Sequence, residues 1–240
     1  MFENRKQLGD KGDTNRMKTQ YQSDSVLLVR PQHHSITGGK IYPVVKRLMD
    51  IVLSSAALVV TGPILLLLAL VIWLDDPHAS PFFVQTRVGL NGKEFRFYKL
   101  RSMVSNAEQL LEQLKDRNEM DGPAFKMEND PRITRIGRFI RKTSIDELPQ
   151  FVNVLRGDMS IVGPRPPLPR EVREYTPYQM RRLSVKPGLT CIWQTQPRRN
   201  DLPFREWIEL DLEYIEKRSL WLDIKLMFKT AGCMLAGEGR

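Results

Sequence analysis

The sequence has few of the residues that build disulfide-bonded or zinc-binding proteins. It contains only two cysteines, Cys191 and Cys233, and three histidines, of which His33 and His34 are adjacent. A disulfide-stapled secreted scaffold is therefore excluded, and no Cys-x-x-Cys pair indicates zinc. With 41% hydrophobic and 27% charged residues over 240 positions, the chain is also unlike disordered, collagen-like or coiled-coil proteins. Its length suits one large or two small domains with a real core.

Acidic residues are in deficit. There are 28 Asp and Glu against 37 Lys and Arg, which gives a net charge of +9. A basic surface favours an anionic partner, which leaves nucleic acid, phosphate-bearing small molecules and anionic lipid as candidates.

Charged residues are absent from residues 51–74, IVLSSAALVVTGPILLLLALVIWL. As a straight helix this segment would reach ~36 Å, enough for a bilayer core of about 30 Å. It lies too far along the chain, and lacks the small-residue cleavage site, for a signal peptide. Buried helices of soluble proteins are rarely apolar all round for this length. The segment therefore predicts contact with a membrane.

Gly62 and Pro63 stand at the middle of this apolar segment. Proline removes a backbone donor and clashes with the preceding turn, so two half-helices bent here could enter and leave by the same face. A single span with a proline kink is the alternative, because membrane helices tolerate proline. Lys46 and Arg47 favour a cytoplasmic location for the end that precedes the segment. The residue pattern alone leaves both topologies open.

The remaining chain divides into a tail and a working domain. Residues 1–40 are polar and aperiodic, which predicts a flexible cytoplasmic tail, followed by a membrane helix over residues 41–76 and a domain over residues 77–240. Two runs rich in Phe, Val and Tyr flank Asn91-Gly92. An Asn-Gly pair supplies the positive φ angles of a tight hairpin, so we expect paired strands at Phe82–Val88 and Glu94–Leu100.

Helical patterns occur in three further stretches. Residues 105–117 begin with Ser105 and Glu108, a Ser-x-x-Glu pair that predicts a capping box. Residues 204–235 predict one or two amphipathic helices. Residues 131–142 combine three isoleucines at helical spacing with five cations, Arg132, Arg135, Arg138, Arg141 and Lys142. This basic stretch suits an anionic membrane surface, where each cation contributes about 1 kcal/mol, although a solvated helix face is the ordinary alternative.

An acidic pair, Asp146 and Glu147, follows the basic stretch directly. Ser144 and Glu147 fit a capping box, so the pair is expected in the first turn of a helix that ends near Leu155. The helix dipole and the preceding cations should favour the ionised carboxylates. An ionised Asp can attack phosphorus, and a neighbouring carboxylate can help to hold Mg²⁺. Taken alone, the pattern could equally be a helix start and nothing more.

Cations in rigid segments could grip phosphate beside these acids. Arg165 is fixed between prolines, and residues 186–190 form a second basic turn. A guanidinium held in place binds phosphate in a bidentate manner. Lys99 and Arg101 end the predicted hairpin. Cations near two acids, beside a membrane, suggest a phosphate-bearing substrate and a lipid acceptor.

Several stretches together resemble the bacterial sugar transferases, or monotopic phosphoglycosyl transferases, over about residues 44–237. They are Lys46-Arg47 with Asp50, PFFVQTRVGLNGKEFRFYKLRSM, DPRITRIGRFIRKTSIDELPQFVNVLRGDMSIVGPRPPLP, VKPGLT with WQ, and LDLEYIEKRSLWLDIKL.

The resemblance implies an activity. Such enzymes transfer a sugar-1-phosphate from a UDP-sugar to a polyprenyl phosphate such as undecaprenyl phosphate, which initiates exopolysaccharide or other glycoconjugate synthesis. The reaction releases UMP, passes through a phospho-sugar aspartyl intermediate and requires Mg²⁺. It also implies a re-entrant helix broken at the Gly62-Pro63 position, which would keep the domain at the cytoplasmic face of the plasma membrane. The expected fold is α+β and mostly α, with this helix, interfacial amphipathic helices and a small hairpin.

Roles carry over by motif. Asp146 would be the nucleophile, and Glu147 would assist in metal binding or proton handling, so that both carboxylates would hold the metal. The expected phosphate-binding residues are Lys99, Arg101, Arg141 and Arg165. Two departures stand out: Gly62-Pro63 replaces the usual Ser-Pro, and residues 195–200 contain Pro197 where a Gly-Arg-Asn run is usual.

The expected partners are a UDP-sugar, polyprenyl phosphate and inner-leaflet lipid. Homodimer formation is left open, and the sugar is expected to be a hexose such as galactose or glucose, from the resemblance.

Two alternatives compete with the sugar transferase hypothesis. One is a non-catalytic, membrane-tethered basic adaptor for nucleic acid or anionic lipid, against which no helix-turn-helix, RNP or zinc pattern is present. The other is a single-span protein with its domain outside the cytoplasm.

Overall fold

The computed structural model describes Gly39, residues 41–197, Arg199 and residues 201–236. The expected tail, apart from Gly39, lies outside the described residues. The helices are α1 (Ile41–Asp75), α2 (Ala107–Leu114), α3 (Arg135–Lys142), α4 (Phe151–Arg156), α5 (Pro169–Val172), α6 (Pro177–Met180), α7 (Phe204–Lys217) and α8 (Leu220–Leu235). The strands are β1 (Phe82–Val88), β2 (Glu94–Leu100), β3 (Ser160–Val162) and β4 (Gly188–Thr190). The expected class, α+β and mostly α, is confirmed.

Helix α1 contains the apolar segment. Among the described residues it is the one helix long and apolar enough to cross a membrane, judged by length and composition. Helical structure continues through Gly62 and Pro63, so the break expected there is not a non-helical segment, and a bend of the helix at this pair stays a prediction. Proline removes one backbone donor, but its φ angle is helical, so the helix can continue past it. Directly before this pair, the Thr61 hydroxyl donates to the Ala57 carbonyl at 2.7 Å, a contact that often bends helices.

The N-terminal half of α1 is fixed to the domain by polar contacts. The Arg47 guanidinium donates to the carbonyls of Val154 and Leu155 at 2.6 and 2.7 Å. These carbonyls belong to the last turn of α4, where backbone acceptors lack helical partners. The buried Asp50 carboxylate accepts from the Ile161 amide at 3.0 Å. The cationic and acidic positions before the apolar segment therefore bind this domain rather than water.

The C-terminal half of α1 is fixed to the same domain. The Arg101 guanidinium donates to the carbonyls of Ile72 and Asp76 at 3.1 and 3.0 Å. Apolar side chains of this half pack in a cluster with the end of β2, with α3 and with the segment after α3. The buried members of this cluster are Leu65, Ala69, Ile72, Leu100 and Ile140.

Strands β1 and β2 form the expected hairpin with the expected bounds, pairing Phe82 with Leu100 and Val88 with Glu94. Asn91 and Gly92 in the turn have φ angles of 54° and 79°. The Asn-Gly pair therefore supplies the positive φ angles that the sequence predicts for this turn.

The main core lies between α7, α8 and the parallel pair β3–β4. Trp193 and Trp207 stack at its centre, with ring centroids 4.2 Å apart. The sequence predicts a turn at residues 186–190 and does not predict the parallel pairing of β3 with β4. Gly163 allows the close approach, because a Cβ there would lie 2.5 Å from the Lys186 carbonyl oxygen.

The starts of two helices differ from expectation. Helix α2 begins at Ala107 after Asn106 with no side-chain cap, so the Ser105–Glu108 capping box is wrong. Glu108 instead accepts from the Gln85 amide at 3.3 Å. Helix α3 covers only the last eight of the twelve residues of the basic stretch. Arg132 precedes it in a buried ion pair with Asp130, so this cation does not belong to an exposed basic face.

Candidate active site

The acidic pair lies in the first turn of a 3₁₀ helix, Ile145–Gln150, which we call the dyad helix. Its first turn follows Ser144, whose φ is 57°, and Ser144 makes no side-chain cap. The expected capping box is therefore wrong, and only the backbone bond from the Glu147 amide to the Ser144 carbonyl, at 3.2 Å, is made. Helix α4 follows directly and ends at Arg156, one residue beyond the expected end.

The dyad helix presents different residues to different surroundings. With three residues per turn, positions three apart share a face of a 3₁₀ helix. Ile145 and Leu148 pack against the apolar cluster that includes α1. Glu147 and Gln150 line a pocket that also contains Arg165. Asp146 is on the third face and is buried. The dyad helix thus places its two carboxylates between an apolar cluster and a pocket with charged residues.

Lys99 contacts both carboxylates. Its ammonium lies 2.7 Å from Glu147 Oε1 and 3.5 Å from Asp146 Oδ2. Fully buried Asn153 on α4 holds this part of β2 in place, because its side chain accepts from the Tyr98 amide at 3.2 Å and donates to the Arg96 carbonyl at 2.6 Å. The structure therefore brings Lys99 to the acidic pair as expected, and adds Asn153 as a residue that positions it.

Burial controls the electrostatics of Asp146. It raises the pKa of this carboxyl above its ordinary value; the Lys99 charge opposes the shift, Glu147 adds to it, and half-buried Arg141 opposes it. The expectation that the local charges would favour ionisation is wrong in net direction, because the cost of removing a charge from water outweighs them. Lys99 and Arg141 still supply the positive charge that an ionised Asp146 needs.

Arg165 lies in the same pocket as Glu147. Its carbonyl accepts from the buried Arg182 guanidinium at 3.1 Å, and Arg182 is itself paired with buried Asp211. Prolines on both sides and this anchor fix the Arg165 backbone. The expectation that Arg165 and the acidic pair share one site agrees with this geometry.

Arg101 does not belong to this site. Its guanidinium contacts the last carbonyls of α1 and lies 3.3 Å from Asp76 Oδ2. The structure therefore does not bring Arg101 to the acidic pair, and its expected contact with a substrate phosphate stays a prediction. A cation at a helix C-terminus satisfies carbonyls without helical partners and interacts favourably with the helix dipole.

Sequence reasoning missed Arg87 and Gln150, which also line the pocket. Arg87 is 9% exposed, donates to the Pro166 carbonyl at 3.0 Å and lies over the Phe97 ring at 5.2 Å. Gln150 is 2% exposed. The only sequence indication was an arginine within a strand of mostly apolar residues.

The donor set of the acidic pair fits Mg²⁺. This ion prefers oxygen ligands and is usually held by one or two carboxylates together with substrate phosphates. Asp146 and Glu147 supply two such groups beside the pocket. In the part of the chain that the structure describes, no group of three or more His, Cys, Asp or Glu side chains could hold a metal, so the two carboxylates would share Mg²⁺ with water or with substrate phosphates.

Comparisons with known proteins agree on one family. A family model described as bacterial sugar transferase matches residues 41–237. Galactosyl transferase CpsE of Streptococcus agalactiae is 50% identical over 196 residues, which are 82% of this chain and 43% of that protein. Undecaprenyl-phosphate galactose phosphotransferase of Salmonella typhimurium is 40% identical over 221 residues, 90% of this chain and 45% of that protein.

A shorter relative is covered more fully. Exopolysaccharide production protein ExoY of Rhizobium meliloti is 35% identical over 198 residues, 81% of this chain and 87% of that protein. By contrast, the chain spans less than half the length of the first two relatives.

Proposed function

This chain belongs to the bacterial sugar transferase family, and we propose that it transfers a sugar-1-phosphate from a UDP-sugar to undecaprenyl phosphate, initiating exopolysaccharide or related glycoconjugate synthesis. The observation that carries the proposal is the placement of Asp146. This buried carboxylate is contacted by Lys99, with an apolar surface that includes α1 on one face of its helix and a pocket containing Arg165 on another. A lipid phosphate and a soluble nucleotide sugar could both reach such a group.

The proposed chemistry has two displacements at one phosphorus atom. An Asp146 oxygen attacks the phosphorus that bears the sugar, the bond from phosphorus to the UMP oxygen breaks, and its electron pair leaves with UMP. An oxygen of the lipid phosphate then attacks the same phosphorus, and the bond to Asp146 breaks, which regenerates the carboxylate. Lys99 compensates the charge on Asp146, and Arg165 is available to hold a substrate phosphate.

Mg²⁺ belongs to this proposal as the cofactor. Asp146 and Glu147 would hold it, and it would neutralise charge on the substrate phosphates. The protein residues hold these carboxylates in position. The Lys99 ammonium lies 2.7 Å from Glu147 Oε1, and Asn153 fixes the strand that carries Lys99.

We place α1 in the membrane as a re-entrant helix, with the domain at the cytoplasmic face. Both halves of α1 are bound by one domain, yet no residue between Ser54 and Leu65 is buried. An apolar segment held at both ends and uncovered in the middle is suited to dipping into one leaflet. The basic face of α3 supports the same placement, because Arg135 and Arg138 are exposed beside Phe139, which is 59% exposed.

Replacing Asp146 tests the chemistry. Asp146→Asn should lower UMP release from a UDP-sugar, in the presence of undecaprenyl phosphate and Mg²⁺, by about 1000-fold or more, because the amide is not a nucleophile of comparable strength. The variant should fold, since Lys99 keeps its contact with Glu147. Exposed Asp116→Asn is the matched control, and equal product from wild type and Asp146→Asn would overturn the mechanism.

A panel of UDP-hexoses, beginning with galactose and glucose, would identify the donor.

A further inference from the structure

Two residues that line the pocket beside Glu147 each carry a buried donor without an acceptor. Within the described residues, Arg87 Nε and Gln150 Nε2 are both buried and make no hydrogen bond. A buried donor without an acceptor costs free energy, and native proteins rarely leave one without a reason. Two such donors in one pocket indicate that a bound acceptor completes them.

The charge of the pocket indicates that this acceptor is an anion. Arg165 lines the same pocket as Arg87, and neither guanidinium forms an ion pair within the described residues. Burial and the Arg165 charge lower the pKa of Arg87 to about 10, while Glu171 and Glu147 oppose this shift. Two neighbouring guanidinium groups repel each other until a phosphate lies between them.

The donors are held in place before any ligand binds. Arg87 is fixed by its bond to the Pro166 carbonyl and by the Phe97 ring, and Arg165 by the anchor on its carbonyl. Donors fixed in this way need little reorganisation when negative charge develops nearby.

The faces of the dyad helix distinguish between the two phosphates of the reaction. The pocket is lined by residues of β1, β2, the dyad helix, the segment around Arg165, and the segment from β4 to Gln194, and by none of α1 or α3. The face with Ile145 and Leu148 packs against α1 and α3 instead. A lipid phosphate arrives with its chain in the bilayer, on the side of α1, so it would not bind in a pocket that no residue of α1 or α3 lines.

We propose that Arg87, Gln150 and Arg165 bind the phosphate of the departing nucleotide, and that the lipid phosphate reaches Asp146 from the membrane side without using this pocket. The inference rests on the proposed function. It assigns Arg87 and Gln150 to the step in which the bond from phosphorus to the UMP oxygen breaks and its electron pair passes to UMP. The donors then stabilise the charge gained by that leaving oxygen.

Binding of UMP to the full chain in detergent, measured by calorimetry, tests the site without turnover. Arg87→Lys keeps the charge but removes the planar fork, and Gln150→Glu replaces a donor with an acceptor. Each should weaken UMP binding by about tenfold or more, since bonds to charged groups are involved. The exposed positions Arg205→Lys and Gln109→Glu are the matched controls and should bind as wild type does. In turnover, KM for the UDP-sugar should rise and KM for undecaprenyl phosphate should stay unchanged.

The proposal is overturned if both variants, folded by circular dichroism, bind UMP as tightly as wild type, or if only KM for undecaprenyl phosphate rises. Should Arg87→Lys fail to fold, Gln150→Glu decides alone. A wild type that binds UMP through Arg87 but makes no lipid-linked sugar phosphate would support the site and refute the proposed function.

Discussion

Asp130 and Arg132 form a buried ion pair immediately before α3. Arg132 donates to Asp130 Oδ2 at 2.6 Å from its guanidinium and to Oδ1 at 3.0 Å from its backbone amide. Burial alone would raise the pKa of Asp130, but the Arg132 hydrogen bonds and charge hold it below its usual value. Such a carboxyl stabilises the fold above its unfolded pKa, and this stabilisation is lost as pH falls through the lower folded pKa.

Asp130→Asn should therefore lower the free energy of unfolding in a pH-dependent way. The expected loss at pH 7 is about 1–3 kcal/mol, because a charged hydrogen-bond acceptor is replaced by a neutral one. The difference from wild type should shrink as pH falls below about 4, because the Asp130 carboxyl of the unfolded chain protonates there first and the folded carboxyl only at lower pH. Denaturant titrations at several pH values measure it, with exposed Asp116→Asn as control. A difference that stays constant with pH would contradict the role assigned to this pair.

At the scale of elements, α3 approaches the segment that follows β2 so closely that only glycine fits at position 137. A Cβ there would lie 1.9 Å from the Ser102 carbonyl oxygen, a backbone atom that cannot rotate away. The contact seats fully buried Ile140 in the apolar cluster beside α1. The position of α3, and of the dyad helix that follows it, depends on this glycine.

Gly137→Ala should lower the free energy of unfolding by about 2–4 kcal/mol, as overpacking of fixed backbone does. Gly232→Ala on α8 is the matched control. A Cβ at 232 meets nothing within 4 Å, so it should be neutral or stabilise by up to about 1 kcal/mol. Thermal unfolding of both variants makes the comparison, and equal effects would show that the Ser102 contact does not constrain α3.

Local signals predicted some elements well and others poorly. The hairpin was exact, since a period of two and an Asn-Gly turn act within a few residues. Both Ser-x-x-Glu capping boxes failed because tertiary partners take the glutamates: Gln85 binds Glu108, and Lys99 binds Glu147. The β3–β4 pair was missed because three-residue strands show no alternation.

The residues of the candidate site likewise include some that the sequence predicts and some that it does not. Motifs placed Asp146, Glu147, Lys99 and Arg165 at one location, as the structure has them. Lys99 and Arg101 are two residues apart, a spacing that would place both side chains on one face of a continuing strand. Strand β2 ends at Leu100, between them. Lys99 therefore contacts the acidic pair, whereas Arg101 contacts the end of α1. Arg87 and Gln150 could not be found from sequence, because their importance comes from burial created by distant segments.

At the scale of the whole molecule, the topology of α1 predicts a labelling pattern. Val44→Cys and His78→Cys introduce thiols at exposed positions near the two ends of α1. In a background with Cys233→Ser, both should react with a membrane-impermeant maleimide only after spheroplasts are permeabilised, because one domain binds both ends of the helix. Buried Cys191 is the internal control for unfolding. Reaction of either new thiol in intact spheroplasts would exclude the re-entrant arrangement.

The attachment of α1 at both ends leaves the protein without a hinge between its anchor and its chemistry. Arg47 and Asp50 fasten one half, and Arg101 fastens the other. With the helix dipping into one leaflet, Asp146 would stay at a constant depth relative to the bilayer throughout a reaction cycle. The long-chain acceptor would then have to diffuse sideways within the leaflet until its head group meets that depth, and catalysis would depend on lateral movement of the lipid rather than on swinging of the enzyme.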